Sequence, residues 1–286
     1  MPQKTAVSSS KDVLVIDGLK KGRHSFKLLR VTEVYSPACD PITDIKDYLF
    51  VTDIEIGETE EGELCSAVKQ EKMIIDFYGD SITNGWASLA RPNNEQRREC
   101  DNDYTVSYAY LAAEALEAEA RVCAFSGRGI VADCHGSRAE PMKMFYPMAS
   151  RSLPVKFDFA DEPDIAVIAL GTNDCGGGVE NDEFKEAAKD FIKMVRCDSP
   201  NAEIIWIYGM MNERFVSVLH DLTEEMRIRD KKISFFPIEP VKKEKNELGA
   251  LGHPNRIGQK RIAEELLKHI KQNIRKFQIL SMTIIS

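Results

Sequence analysis

Two stretches leave the chain few folds to choose from. Ile165-Ala166-Val167-Ile168-Ala169-Leu170 and Ile204-Ile205-Trp206-Ile207-Tyr208 carry no charged residue and almost no polar atom. A strand with one wet face alternates apolar with polar, so a run this uniform must be covered on both sides. Further mainly apolar runs are predicted as strands at 73–78, 122–125 and 233–236. Between and after them the apolar spacing becomes helical, over 182–196, 215–229 and 254–276. A further helix is expected over 104–119, capped by Asp103, with Tyr108, Leu111, Ala112, Ala115 and Leu116 at helical spacing. Buried strands alternating with amphipathic helices predict an α/β domain over 71–277, a parallel sheet with helices on both faces.

The first seventy residues follow another rule. Residues 1–10 are expected to be disordered, and 11–70 read as β structure, with strands at 13–16, 24–31 and 48–56 and turn chemistry at Gly18, Gly22 and Gly57. Three or four strands make a thin sheet with unpaired edges. Such a unit is expected to lean on the following domain or on a second copy, which would make a homodimer through the β unit. The tail, 278–286, is apolar and β-prone, suited to an added edge strand or to covering that unit.

Charge and composition exclude several classes. The net charge is −8 and no basic stripe with interleaved aromatics occurs, which argues against nucleic acid as a partner. No apolar run is long enough to span a bilayer, and the first ten residues lack the apolar core of a signal peptide. The chain as written is therefore expected in the cytoplasm, or outside the cell if the sequence starts late. The seven cysteines are odd in number with no pair at metal-ligand spacing; Cys134 beside His135 is a weak hint, and reduced structural thiols are expected. The five histidines form no i, i+4 pair, so neither a metal nor a cofactor is expected.

The chemistry is expected where apolar strands end. Met73–Tyr78 breaks at Gly79 into Asp80-Ser81-Ile82-Thr83-Asn84-Gly85, presenting Ser81 at the carboxyl end of a strand, where open α/β sheets place their ligands. Read alone, Ser81 could as well cap a helix. Three more polar groups occupy comparable positions: Ser126-Gly127-Arg128-Gly129 after Phe125, Gly171-Thr172-Asn173-Asp174 after Leu170, and Gly252-His253-Pro254-Asn255 ahead of the last helix, with Pro254 suited to its first turn. Each is weak by itself; in this order they form a set.

That set resembles the SGNH (GDSL-type) hydrolases, whose four blocks are built around Ser, Gly, Asn and His. The nearest likeness is to the family-two carbohydrate esterases, which carry a β-sandwich (jelly-roll) domain ahead of a flavodoxin-like hydrolase domain. Residues 18–24 and 30–33 resemble the later strands of that sandwich, making 11–70 a partial sandwich. The resemblance implies Ser81 as nucleophile, His253 as general base and acid, and an oxyanion hole of the Ser81 and Gly127 backbone N–H groups with the Asn173 side-chain amide. Gly127 must be small for its amide to approach a substrate.

One position departs from the pattern. These enzymes usually carry Asp three residues before the histidine, and here that residue is Ala250. A Ser–His dyad with a backbone carbonyl holding the ring is expected instead, Glu247 being the one nearby candidate for a third member. Asp80 and Trp86 are candidate substrate contacts, Trp86 either stacking on a sugar ring or packing under the loop over 87–102. Phe145, Tyr146 and Met148 are candidates for a cleft wall, and Trp206 for the core. The implied reaction is removal of O-acetyl groups from oligo- or polysaccharide through an acyl-enzyme. The competing readings are an SGNH lipase or thioesterase, and a carbohydrate-binding protein whose hydrolytic site is vestigial.

Overall fold

The structure is a computed structural model that describes residues 20–24, 31, 72–94, 101–148 and 156–273. The expected disordered leader, nearly all of the β unit over 11–70, its dimer contact and the tail lie outside the described residues. The chain divides into two compact units, Met1–Arg30 and Val31–Ser286. In the first, residues 20–24 are exposed, and His24 Nε2 lies 2.7 Å from the Lys20 carbonyl oxygen.

The second unit is built on a five-stranded sheet. Its strands are β1 (Ile74–Gly79), β2 (Glu119–Ala124), β3 (Ile165–Ala169), β4 (Glu203–Tyr208) and β5 (Ile233–Pro237). They lie in the order β2-β1-β3-β4-β5, every neighbouring pair parallel. The helices are α1 (Tyr108–Ala115), α2 (Thr172–Gly176), α3 (Asn181–Asp198), α4 (Val216–Arg227) and α5 (Arg256–Asn273). This is the doubly wound α/β architecture with the flavodoxin-like strand order.

The all-apolar runs serve two cores at once. Successive side chains on a strand point to opposite faces. Ala166, Ile168, Leu170, Ile204, Trp206 and Tyr208 join one buried cluster, with Phe184, Phe191 and Val195 of α3 and Leu219 and Leu222 of α4. Ile165, Val167, Ala169, Ile205 and Ile207 join the other, with Tyr108 and Ala112 of α1 and Ile262, Leu266 and Ile270 of α5. Trp206 is fully buried as expected, its indole N–H donating to the Leu170 carbonyl at 3.2 Å. Tyr146 belongs to the first cluster, with its ring against Tyr78 and Phe191, and Phe145 is buried beside it. Both rings are buried.

The helix expected to reach 119 ends at Ala115, and the strand expected from 122 begins at Glu119; two further boundaries differ for visible local reasons. The helix expected from 104 opens as a short 3-10 turn, Tyr104–Val106, on which Asp103 accepts the Thr105 N–H, and Ser107 then caps α1 by accepting from the Tyr110 N–H. The last helix starts at Arg256, because the Asn255 side chain accepts the N–H groups of Ile257 and Gly258 and so takes the N-cap position. Pro254 therefore lies ahead of that helix and not in its first turn.

In this order the direction of winding reverses between β1 and β3. The crevice beyond their carboxyl ends lies at that point, flanked by the nucleophile turn after β1 and the Gly171–Asp174 turn after β3. Phe184 supports the second of these. It is fully buried, stacks on Phe215 with centroids 3.9 Å apart, and leaves no slack for a side chain at Gly171. Phe184→Ala should therefore destabilise the fold by about 3–5 kcal/mol, measured as a lower denaturant midpoint at unchanged m-value.

Candidate active site

The turn after β1 is held from three sides. The Trp86 N–H donates to the Ser81 carbonyl at 3.0 Å, winding residues 81–86 into a tight coil. Asn84 Nδ2 donates to the Ala124 carbonyl at the end of β2, and Thr83 Oγ1 lies 2.7 Å from the Tyr108 hydroxyl of α1. Gln259 of α5, fully buried, donates to the Ile82 carbonyl and accepts the Tyr108 N–H. A Cβ at Gly79 would overlap Thr83, which explains the glycine where strand becomes turn.

Gln259 sits six residues after His253, so one side chain ties the nucleophile turn to the helix that follows the histidine. Ser81 Oγ lies 2.8 Å from His253 Nε2, across 172 residues of sequence. Ser81 is 6% exposed. Burial pushes the His253 imidazole down to about 4, against the carbonyls of Leu251 and Ala250, which favour its charged form. Those carbonyls are near enough to act electrostatically on the ring, yet Nδ1 makes no hydrogen bond of good geometry with them. The ring is thus neutral at pH 7, and with its proton on Nδ1 it would leave Nε2 to accept from the Ser81 hydroxyl.

Glu247 is not part of this contact. It is buried, with one carboxylate oxygen accepting from Arg261 Nε at 2.8 Å and the other from the Lys242 N–H at 2.9 Å. Arg261 of α5 captures the carboxylate that the sequence offered as a third member, and its work is to hold the loop over 242–247. Ala250, at the position of the missing Asp, is fully buried.

Opposite the Ser–His pair stand the turns after β2 and β3. The backbone N–H groups of Ser81 and Gly127 have no acceptor among the described residues. Gly127 has φ +74°, a left-handed conformation that glycine adopts without strain. Asn173 Nδ2 donates to Asp80 Oδ2 at 3.1 Å and to the Arg128 carbonyl at 3.0 Å. Both amide hydrogens are then in use, so Asn173 presents none of its own to the crevice at rest. Asp80, expected to touch substrate, is fully buried; its other oxygen accepts the Ile82 N–H at 3.0 Å. It holds Asn173 and the nucleophile turn. Trp86, expected on a sugar or under a loop, packs against Ala87 and Ala90 of the following loop and against Ala250, and its ring also lies against His253, centroids 4.2 Å apart at 49°.

Asp174 is the site residue that sequence reasoning missed. It is wholly buried, and its carboxylate accepts the N–H groups of Ile130, Val131 and Ala132 at 3.0, 2.8 and 3.1 Å. Burial pushes its carboxyl above the ordinary range, against the opposing pull of those donors. A Cβ at Gly129 would collide with this carboxylate. The segment carrying Gly127 is thereby clamped to the turn carrying Asn173. The pattern Gly-Thr-Asn-Asp marked the place, but an Asp after Asn reads as a helix cap until the distant loop is seen.

Residues 77–261 match the GDSL-like lipase/acylhydrolase family. The chain belongs to that family. Within it, the chain is 26% identical over 285 residues to the cellulase/esterase CelE of Acetivibrio thermocellus, covering 96% of this chain and 33% of CelE. It is 26% identical over 177 residues to an acetylxylan esterase / glucomannan deacetylase of Cellvibrio japonicus, 59% of this chain and 44% of that protein. The chain thus spans a third to under half of the length of these curated relatives. Among solved structures, it superposes on a family-two carbohydrate esterase from Clostridium thermocellum in complex with cellohexaose, with TM-score 0.69 and 27% identity, over 73% of this chain and 67% of that one. The hydrolase domain therefore has the SGNH fold expected from its motifs.

Asp174→Ala would leave three backbone N–H groups without their acceptor. At about 1–3 kcal/mol for each donor left buried and unsatisfied, the variant should lose about 3 kcal/mol or more of stability. Amide hydrogen exchange should accelerate first at residues 130–132, ahead of the strands.

Proposed function

We propose that this chain is a serine esterase that removes O-acetyl groups from carbohydrate through a Ser81–His253 dyad and an acetyl-enzyme. The observation that carries the reading is the 2.8 Å contact between Ser81 Oγ and His253 Nε2, facing two unengaged backbone N–H groups. The family membership supports ester hydrolysis, and the printed activities of the relatives support sugar acetates of the xylan and glucomannan kind as substrates.

The steps follow from the groups in place. Ser81 Oγ attacks the acetyl carbonyl carbon as its proton passes to His253 Nε2. The negative charge that develops on the carbonyl oxygen is met by the N–H groups of Ser81 and Gly127. Asn173 can join them by giving up one present bond. The bond to the neutral Arg128 carbonyl is the weaker of the two, since the other acceptor is a carboxylate. Collapse expels the sugar oxygen, which takes the proton from His253 and leaves acetyl-Ser81. Water then attacks that ester, its proton going to Nε2 and on to Ser81 Oγ as acetate departs.

Among the described residues no carboxylate stands behind the imidazole to stabilise its cation, and burial disfavours that cation further. The dyad gains a base that is neutral over a wide pH range and gives up some basicity.

Acetate release from acetylated xylan or glucomannan tests the reading. Ser81→Ala should lower turnover by about 10⁴-fold or more and abolish labelling by a fluorophosphonate. No Ser81-dependent acetate release from any acetylated glycan would overturn it, and octanoyl esters cleaved faster than acetyl esters would favour a lipase. The pH profile is a separate check. Protonated His253 cannot accept the serine proton, so kcat/KM should fall on the acid side with an apparent pKa near 4 and not at the ordinary histidine value.

A further inference from the structure

A general base with no carboxylate partner must be held by something else. Without a hydrogen bond at Nδ1, the imidazole could turn about its side-chain torsions and leave Ser81. Two features of the crevice oppose this, and both come from the segment directly after the nucleophile.

The first is Trp86. Its backbone N–H is bonded to the Ser81 carbonyl at 3.0 Å, and its ring lies against His253, centroids 4.2 Å apart. A single residue is thus anchored to the nucleophile by its main chain and to the base by its side chain. The second is the stretch that follows it. The Asn93 N–H donates to the Leu248 carbonyl at 2.5 Å, and the Ala87 N–H to Asn102 Oδ1 at 2.8 Å. A Cβ at Gly249 would come within 2.7 Å of the Ala87 carbonyl oxygen and 3.3 Å of Ala90 Cβ, so the histidine loop lies flat on this stretch. Ala87 holds left-handed backbone, φ 56°, which an alanine adopts only under constraint. The Gly249 N–H in turn donates to the His253 carbonyl at 2.7 Å.

We propose that Trp86 is the positioning residue of the base: its indole, fixed to the nucleophile turn and backed by the loop over 87–93, confines the imidazole so that Nε2 stays on Ser81 Oγ. The proposal rests on the esterase reading and deepens it. Trp86 takes over the orienting task that a carboxylate performs in a triad, by contact instead of charge. It also helps exclude water from the ring. Among the described residues of the surrounding elements, Asp80 faces Asn173, Glu247 faces Arg261, and Arg91 is exposed.

Two measurements on the full chain test it. In the first, the His253 ring signals are titrated by NMR, with His253→Gln identifying them among the five histidines. Trp86→Ala should move the His253 midpoint up towards 6.5, the ordinary histidine value, and Trp86→Phe should leave it near that of the unaltered protein. In the second, with a small acetyl ester, Trp86→Ala should lower kcat by about 10- to 100-fold with KM within about twofold, and Trp86→Phe should restore most of the turnover. Should Trp86→Ala fail to fold, Trp86→Leu carries the kinetic test, since it keeps apolar volume without the flat ring. A His253 midpoint unmoved by Trp86→Ala would overturn the proposal. So would a loss confined to KM on acetylated oligosaccharide, which would make Trp86 a sugar platform. The titration does not depend on turnover, so absence of Ser81-dependent acetate release would remove the esterase reading while the titration still decides the contact.

Discussion

One hydrogen bond, Ser81 Oγ to His253 Nε2, makes demands on most of the molecule. Its partners arrive on opposite ends of the domain's sequence, and a displacement of an ångström would leave a serine hydroxyl with no base. The fold meets this by fixing the turns to one another as well as to the sheet. Gln259 links the coil after Ser81 to α1 and α5, and Asn255 draws the chain after His253 into a helix by capping it while donating to the Asn246 and Leu248 carbonyls. Neither residue needs to touch a substrate, yet both bear on the distance that defines the site.

The oxyanion side uses the same device with buried carboxylates. Asp80 and Asp174 have no surface exposed. Asp80 grips the Asn173 amide and the nucleophile turn, while Asp174 grips three successive N–H groups of the Gly127 segment. An ionised carboxylate is costly to bury unless donors surround it. Satisfied by backbone N–H groups, it becomes a rigid bracket for loops that have no ladder of their own. Donors aimed in advance at the place where charge develops stabilise a transition state without reorganising, and these two brackets supply that rigidity.

The relation of this chain to its family follows from the same economy. Ser81, Gly127 and Asn173 lie at the strand ends their motifs marked, while the residue three before His253 is Ala250. Glu247, the sequence's only alternative, is spent on Arg261. Burial leaves the imidazole neutral, and the structure surrounds it with a tryptophan ring and two backbone carbonyls in place of an anion. A base so placed does not depend on a carboxylate staying ionised.

The fold was legible because continuous apolar runs such as Ile165–Leu170 can exist only between two layers of helix, and that requirement is local to the run. Ser81, Gly127, Asn173 and His253 were legible because each follows or precedes a recognisable strand or helix end. The roles of Asp80, Trp86, Glu247 and Asp174 were not. A carboxylate can face a sugar, an arginine or a row of N–H groups with the same residue letter, and an indole can lie on a sugar or on an imidazole. Which of these occurs depends on what the other loops bring within 3–4 Å, and the loop over 130–132 or the helix bearing Arg261 lies far away in the chain. The sequence by itself determined the layered α/β scaffold and the residues that gather at its switch point, since both rest on periodicity and on strand ends. Only the tertiary structure decided which side chains surround His253, Asn173 and the Gly127 segment, because burial and partner choice are properties of contacts between distant segments.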